Sequence, residues 1–144
     1  SAASDVYKRQ QEHCCFALRS VCYGTDAVAL ARRQRAAEAL AIEAVVEAMQ
    51  AHPQVTGVQE HACAALITTC QGNDDAARAR SQRAVEAGAL EAVVAVMQAH
   101  PQAAGVQEHG CIALRNVCCG SDAARRRLTG SARRRRGRSR RWWR

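Results

Sequence analysis

Apolar residues in the stretch LEAVVAVMQAH fall at Leu90, Val93, Val94 and Met97, the i, i+3, i+4, i+7 spacing that lines one side of an α-helix. The pattern predicts a helix from near Ala89 that ends at His100, because Pro101 disfavours helical backbone in the residue before it. Upstream, Asn73, Asp74 and Asp75 are helix N-cap types, and a polar, Arg-rich helix is predicted from there to about Ala87, with Gly88 supplying the turn. Downstream, a third helix is predicted to begin near Gly105 and to run through VQEHGCIALRNVCC to Gly120. The same order precedes it in the chain, with Pro53 and Gly72 in the corresponding places.

That recurrence is a duplication. The triplet QEH stands at Gln11 to His13, Gln59 to His61 and Gln107 to His109, each time displaced by 48 positions. MQAHPQ recurs at Met49 and Met97, and EAVV at Glu43 and Glu91, by the same step. Residues 11 to 58 match residues 59 to 106 at 30 of 48 positions without a gap. A unit of this size cannot bury its own apolar faces, so neighbouring copies are expected to stack around one continuous core. Two full copies and a partial third are present, which reads as a piece of a longer array; a compact bundle of four or five helices is the competing architecture.

The apolar content is mainly Ala, Val, Leu and Cys with five aromatic residues, small side chains suited to close helix packing. No stretch approaches the 18 or more consecutive apolar residues of a membrane span, so the repeats are expected to be soluble. The formal net charge of +8 belongs to one end: residues 125 to 144 hold 11 of the 21 basic residues and no acid, leaving 10 basic against 13 acidic, or −3, for residues 1 to 124. Any inference from charge to a polyanionic partner therefore concerns the tail alone.

The runs AVEAGALEAVVAVMQAH at Ala84 to His100 and GVQEHGCIALRNVC at Gly105 to Cys118 resemble the armadillo repeat, with its short helix, glycine turn, second helix and longer third helix. The resemblance covers residues 11 to about 128 and implies an all-α fold, a right-handed α-α superhelix of about two and a half repeats of 48 residues. It also implies a concave groove, lined by the third helices, that holds an extended peptide or a partner protein. At 100° per residue, His109, Ile112 and Asn116 share one side of the third helix while Cys111, Leu114 and Cys118 cluster opposite. The equivalent candidate groove residues are His61, Ala64 and Thr68, then His13, Phe16 and Ser20. Importin-type members carry a Trp and, four residues on, an Asn that bonds the peptide backbone. Here only Asn116 matches; Ile112, Ala64 and Phe16 replace the Trp, and Thr68 and Ser20 the other Asn. Recognition of basic nuclear-import peptides is therefore not expected.

Other chemistry is sparse. Cys15/Cys22, Cys63/Cys70 and Cys111/Cys118 are each seven apart, about 10 Å along a helix, too far for a disulfide or a shared ion. They are expected to form a core ladder of free thiols, which suits an intracellular compartment, cytoplasmic or nuclear. No metal, cofactor or catalytic constellation is expected; Glu12, Glu60 and Glu108 recur once per repeat as a surface or ladder position does. The histidines read as exposed, functionally neutral positions, with a stack along the groove that makes binding pH-sensitive as the alternative. Arg78, Arg80 and Arg83, echoed by Arg32, Arg33 and Arg35, read as a solvated positive strip, with contact to an acidic partner as the alternative.

The ends are read separately. Residues 1 to 10, SAASDVYKRQ, resemble a translated adapter and are set apart as non-native; residues 11 to 129 hold the repeats; residues 130 to 144 form an Arg-rich tail read as disordered. Arg133, Arg134, Arg135, Arg136, Arg138, Arg140 and Arg141 with Trp142 and Trp143 form a candidate polyanion-binding arm for nucleic acid or nuclear targeting. A shifted reading frame is the other source of such an end. The function expected is a non-catalytic binding scaffold, with nucleic-acid binding through the tail as the alternative.

Overall fold

The structure is a computed structural model that describes residues 1 to 120; the Arg-rich tail and residues 121 to 129 lie outside the described residues. Seven helices appear among the described residues: α1 Ala2–Val21, α2 Ala27–Glu38, α3 Ala41–Ala51, α4 Thr56–Cys70, α5 Asp75–Glu86, α6 Ala89–Ala99 and α7 Ala104–Gly120. The helices α2, α3 and α4 make one complete unit and α5, α6 and α7 the next, while α1 is a third helix standing before them.

Local chemistry accounts for these boundaries. Asp26 and Asp74 cap α2 and α5, each carboxylate accepting the backbone N–H three residues on at 2.7 Å. Gly24 and Gly72 lead into the caps at φ of 118° and 131°, and a Cβ on Gly72 would lie 2.9 Å from the Ala77 methyl. The turn between first and second helices needs left-handed backbone. Gly88 takes it at φ 85°, but in the earlier copy Leu40 must, at φ 63°, a conformation that costs an L-residue roughly 1–2 kcal/mol. Proline ends the second helix in both copies. Asp5 stands in register with Pro53 and Pro101, so nothing breaks α1, which runs unbroken through the expected boundary at residue 10.

Like packs on like. The most extensive contacts between units are third helix on third helix, α1 on α4 and α4 on α7, with α3 touching α6 and α2 touching α5. One core runs through the stack, built from Ile42, Val45, Met49, Val58, Leu66, Val85, Val93, Val106 and Val117 among others, each such burial favouring the fold by about 1.5–3 kcal/mol. The predicted apolar stripe is met in part: Val93 is buried and Leu90 and Met97 are half-buried, but Val94 is 42% exposed. In α3, on which α6 packs, the equivalents Ile42, Val45, Val46 and Met49 are all buried.

Candidate binding surface of the third helices

The recurrent QEH triplet is a fastening. Successive helical residues are 100° apart, so three neighbours point three ways. The amide of Gln59 donates to the carbonyls of Met49 and His52 at 2.9 and 2.7 Å, and that of Gln107 to Met97 and His100 at 2.8 and 3.0 Å. The Gln thus satisfies carbonyls left bare at the end of the second helix in its own unit. Glutamate reaches forward and histidine back: Glu12 lies 3.8 Å from His61, and Glu60 3.8 Å from His109. Each carboxylate also lies over the first turn of the next third helix, where a Cβ on Gly57 or Gly105 would come within 2.5 or 2.6 Å of it. Anionic groups are favoured at that end of a helix. The expectation that glutamate holds a ladder position agrees with this geometry. The histidines do not form a separate stack along a groove, since His61 and His109 are taken up by the preceding unit's glutamate.

The displayed face read from a helical wheel needs correcting. In the middle unit Ala64 and Thr68 are 3% and 7% exposed and His61 is half-buried. His13, Phe16 and Ser20 are exposed on α1, and His109, Ile112 and Asn116 are half-buried on α7. A wheel divides a helix into inside and outside, but α4 has a third helix on either side, α1 and α7, as well as its own unit beneath. The polar tips at the supposed peptide-clamp position are engaged internally. Ser20 Oγ donates to Phe16 O at 3.0 Å, Thr68 Oγ1 to Ala65 O at 3.0 Å, and Asn116 Nδ2 to Ile67 O at 3.2 Å. Phe16 sits edge-on to the His61 ring, 5.4 Å between centroids.

A narrower open stripe is left, rotated from the expected one. It comprises Glu12, Phe16 and Arg19 on α1, Glu60 and Ile67 on α4 with Ala64 as floor, and Glu108, Ile112 and Arg115 on α7. Arg19, Ile67 and Arg115 were missed. Their signal was the shared register at intervals of 48 with Glu12, Glu60 and Glu108, seven residues earlier in each helix.

The arginine strip is a solvated face only in part: Arg35 and Arg78 are exposed, Arg32 and Arg83 half-buried, and the rest enclosed. Arg33 and Arg80 are 2% and 3% exposed. Arg80 donates to Thr69 O at 2.7 Å and Gln71 O at 3.2 Å, and Arg32 makes the equivalent bonds to Val21 O at 2.6 Å and Tyr23 O at 3.2 Å. Arg33 bridges two units, donating to Cys22 O at 2.9 Å, to Gly24 O, and to Gln71 Oε1 at 3.0 Å. Burial, and then Arg80 nearby, push the Arg33 pKa down, yet a guanidinium keeps its charge and its five donors. These side chains close the bare carbonyl ends of the preceding third helices. Arg83 pairs with Glu43 at 2.6 Å, while Arg78 stays at the surface with Asp75.

All eight cysteines are free. Cys15, Cys22, Cys63 and Cys70 are buried as the ladder requires, whereas Cys111 is exposed and Cys118 half-buried, so the ladder expected of all three pairs holds for the first two. Burial pushes the Cys63 thiol up to about 12, helped by Glu60, and Cys70 to about 12; Cys15 rises to about 11 through burial and then Cys14.

Among the described residues no three His, Cys, Asp or Glu gather as a metal site would need, and no helix is long and apolar enough to cross a membrane. An apolar cleft of about 250 Å³ lies between α3 and α6, lined by Met49, Pro53, Ala92 and Val96, away from the third-helix stripe. The candidate tail residues Arg133 to Trp143 lie outside the described residues. Comparison with protein-family models, with curated proteins and with solved structures yields no match.

Proposed function

We propose that the chain is a non-catalytic armadillo-type scaffold that binds an extended peptide or partner protein across its third helices. The observation that carries this reading is the repeat-spaced stripe on α1, α4 and α7, in which one register position is acidic in every unit (Glu12, Glu60, Glu108) and another bears Phe16, Ala64 and Ile112. Packed helices lie about 8–10 Å apart and an extended strand rises about 3.3 Å per residue. A peptide of six or so residues therefore spans the three helices, with its alternate side chains meeting carboxylates and apolar floor. The free thiols favour a reducing compartment, cytoplasmic or nuclear, as the place of action.

The test is selection of peptides from a display library on the immobilised chain, followed by anisotropy titration. Ile112→Glu, which puts a charge on the apolar row, is expected to weaken captured peptides about tenfold or more, a loss of 1.4 kcal/mol or more, with helical content unchanged. Replacing Arg133 to Arg136 by Gln should leave capture intact. The opposite outcome, capture insensitive to Ile112 but lost with the tail arginines and steeply salt-dependent, would transfer the function to nucleic-acid binding by the tail.

A further inference from the structure

One contact repeats at both junctions between described third helices. Glu12 Oε1 of α1 lies 3.8 Å from His61 Nε2 of α4, and Glu60 Oε1 of α4 lies 3.8 Å from His109 Nδ1 of α7. In each pair the glutamate side chain is 39% exposed and the histidine 24%, so the carboxylate still meets solvent on the stripe and the ring is the more enclosed partner. A separation of 3.8 Å is too long for a hydrogen bond, and Nδ1 of both rings is buried without a hydrogen-bond partner. A neutral ring therefore leaves the carboxylate charge open to another cation. A protonated ring is itself that cation, already in place. Other charged groups nearby are engaged elsewhere or stand off: Glu43 of α3 is held by Arg83, Arg33 of α2 and Arg80 of α5 by backbone carbonyls, and His100 of α6 by Pro53 O. Glu47 of α3 and Glu91 of α6 are exposed, Glu108 adjoins His109 on α7, and Arg19 and Arg115 stand seven residues along the stripe from the acidic row.

We infer, resting on the third-helix binding proposed above, that this row is a proton-gated cation site. Glu12 and Glu60 take the lysine or arginine side chains of an extended peptide while His61 and His109 are neutral, and give them up when the rings gain protons. The occupant follows from charge: residues 1 to 124 carry a net −3, and the row sets a carboxylate in each unit beside the apolar floor. Histidine is the side chain that ordinarily changes charge between about pH 8 and 5, whereas glutamate ordinarily titrates near about pH 4.3. The gate is thus the ring and not the carboxylate. A cation bound at the carboxylate opposes a proton on the ring beside it, and by linkage the proton opposes the cation to the same degree. Affinity therefore falls as pH falls through the histidine range, and binding near pH 6 expels protons.

The test uses a rhodamine-labelled hexapeptide of alternating lysine and valine, titrated with the full chain by anisotropy at about 0.1 M salt. Binding at pH 5.5 is expected to be about tenfold weaker than at pH 7.5, the effect of two like charges brought close in water at two sites. The double variant His61→Gln with His109→Gln should bind as the wild type does at pH 7.5 and hold that affinity at pH 5.5, while His100→Gln should keep the wild-type profile. A second measurement needs no variant: calorimetric binding enthalpies near pH 6, in buffers of different ionisation heat, should report protons released by the wild-type chain. A hexapeptide that does not bind at pH 7.5, an affinity that does not fall with pH, a fall that persists in the double variant, or binding without proton release would overturn the gate. Display peptides that are captured, and weakened by Ile112→Glu, with a flat pH profile would leave the scaffold standing without its gate; failure to capture any peptide would remove the scaffold itself.

Discussion

The helices α3 and α6 carry nearly the same residues, AIEAVVEAMQA and ALEAVVAVMQA, yet they are not equally inside the protein. Val46 is 3% exposed and its copy Val94 42%; Met49 is 1% exposed and Met97 half-buried. The third helices show the same gradient: α4 is buried along most of its length, whereas α1 is open on one flank and α7 on the other. Burial in a stacked array thus belongs to a position in the stack more than to a residue. Sequence identity between copies predicts identical structure but not identical energetic weight.

Thiol chemistry breaks this comparison most sharply. Cys63 and Cys111 share a register, but Cys63 is buried and Cys111 exposed; burial raises the Cys63 thiol from 9.0 to about 12, which cuts its reactive thiolate at neutral pH by on the order of a thousandfold. Mass-spectrometric labelling with a maleimide at pH 7.5 should modify Cys14, Cys111 and Cys119 at once and Cys15, Cys22, Cys63 and Cys70 only as fast as the stack opens. The same shift makes stability pH-dependent. Because the unfolded chain loses its thiol protons first, stability is fully present below about pH 9 and falls as pH rises towards 12. A melting temperature that rises over that window would contradict it.

Next in size is a pair of truncations. Leu66 is 1% exposed between two neighbours, so Leu66→Ala should cost about 3 kcal/mol in urea unfolding. Leu114, its copy on the half-covered α7, should cost about 1 kcal/mol when cut to Ala, since less contact is lost and the site can collapse. Equal losses would mean that α7 is as enclosed as α4. The smallest effect sharpens the comparison from the backbone side. Leu40 holds the left-handed turn that Gly88 holds in the next unit and is 56% exposed, so Leu40→Gly should stabilise the chain by about 1 kcal/mol, read as a rise in urea midpoint.

Helix order and boundaries were legible in the sequence because their causes are local: an Asp cap, a glycine turn and a proline stop act within a few residues of themselves. Asp74, Gly88 and Pro101 mark their elements to within a residue or so. The fastening role of Gln59 and the clasp made by Arg80 were not legible, because their partners are bare carbonyls, which every residue possesses and no sequence displays. The outward set was misplaced for a related reason. Thr68 looks like a groove residue on an isolated wheel, and only the flanking third helices reveal that it is covered.

The QEH triplet has a consequence for how such a chain changes length. Three adjacent residues that fasten a unit to itself, to its successor and to its predecessor travel together whenever the DNA encoding a unit is copied. A gain or loss of a whole unit leaves every junction chemically complete, whereas a single-residue insertion inside a third helix turns all later contacts by 100°. The array is therefore tolerant of slippage in steps of 48 residues and intolerant of smaller ones, which makes unit number the natural variable on which variation in this sequence can act.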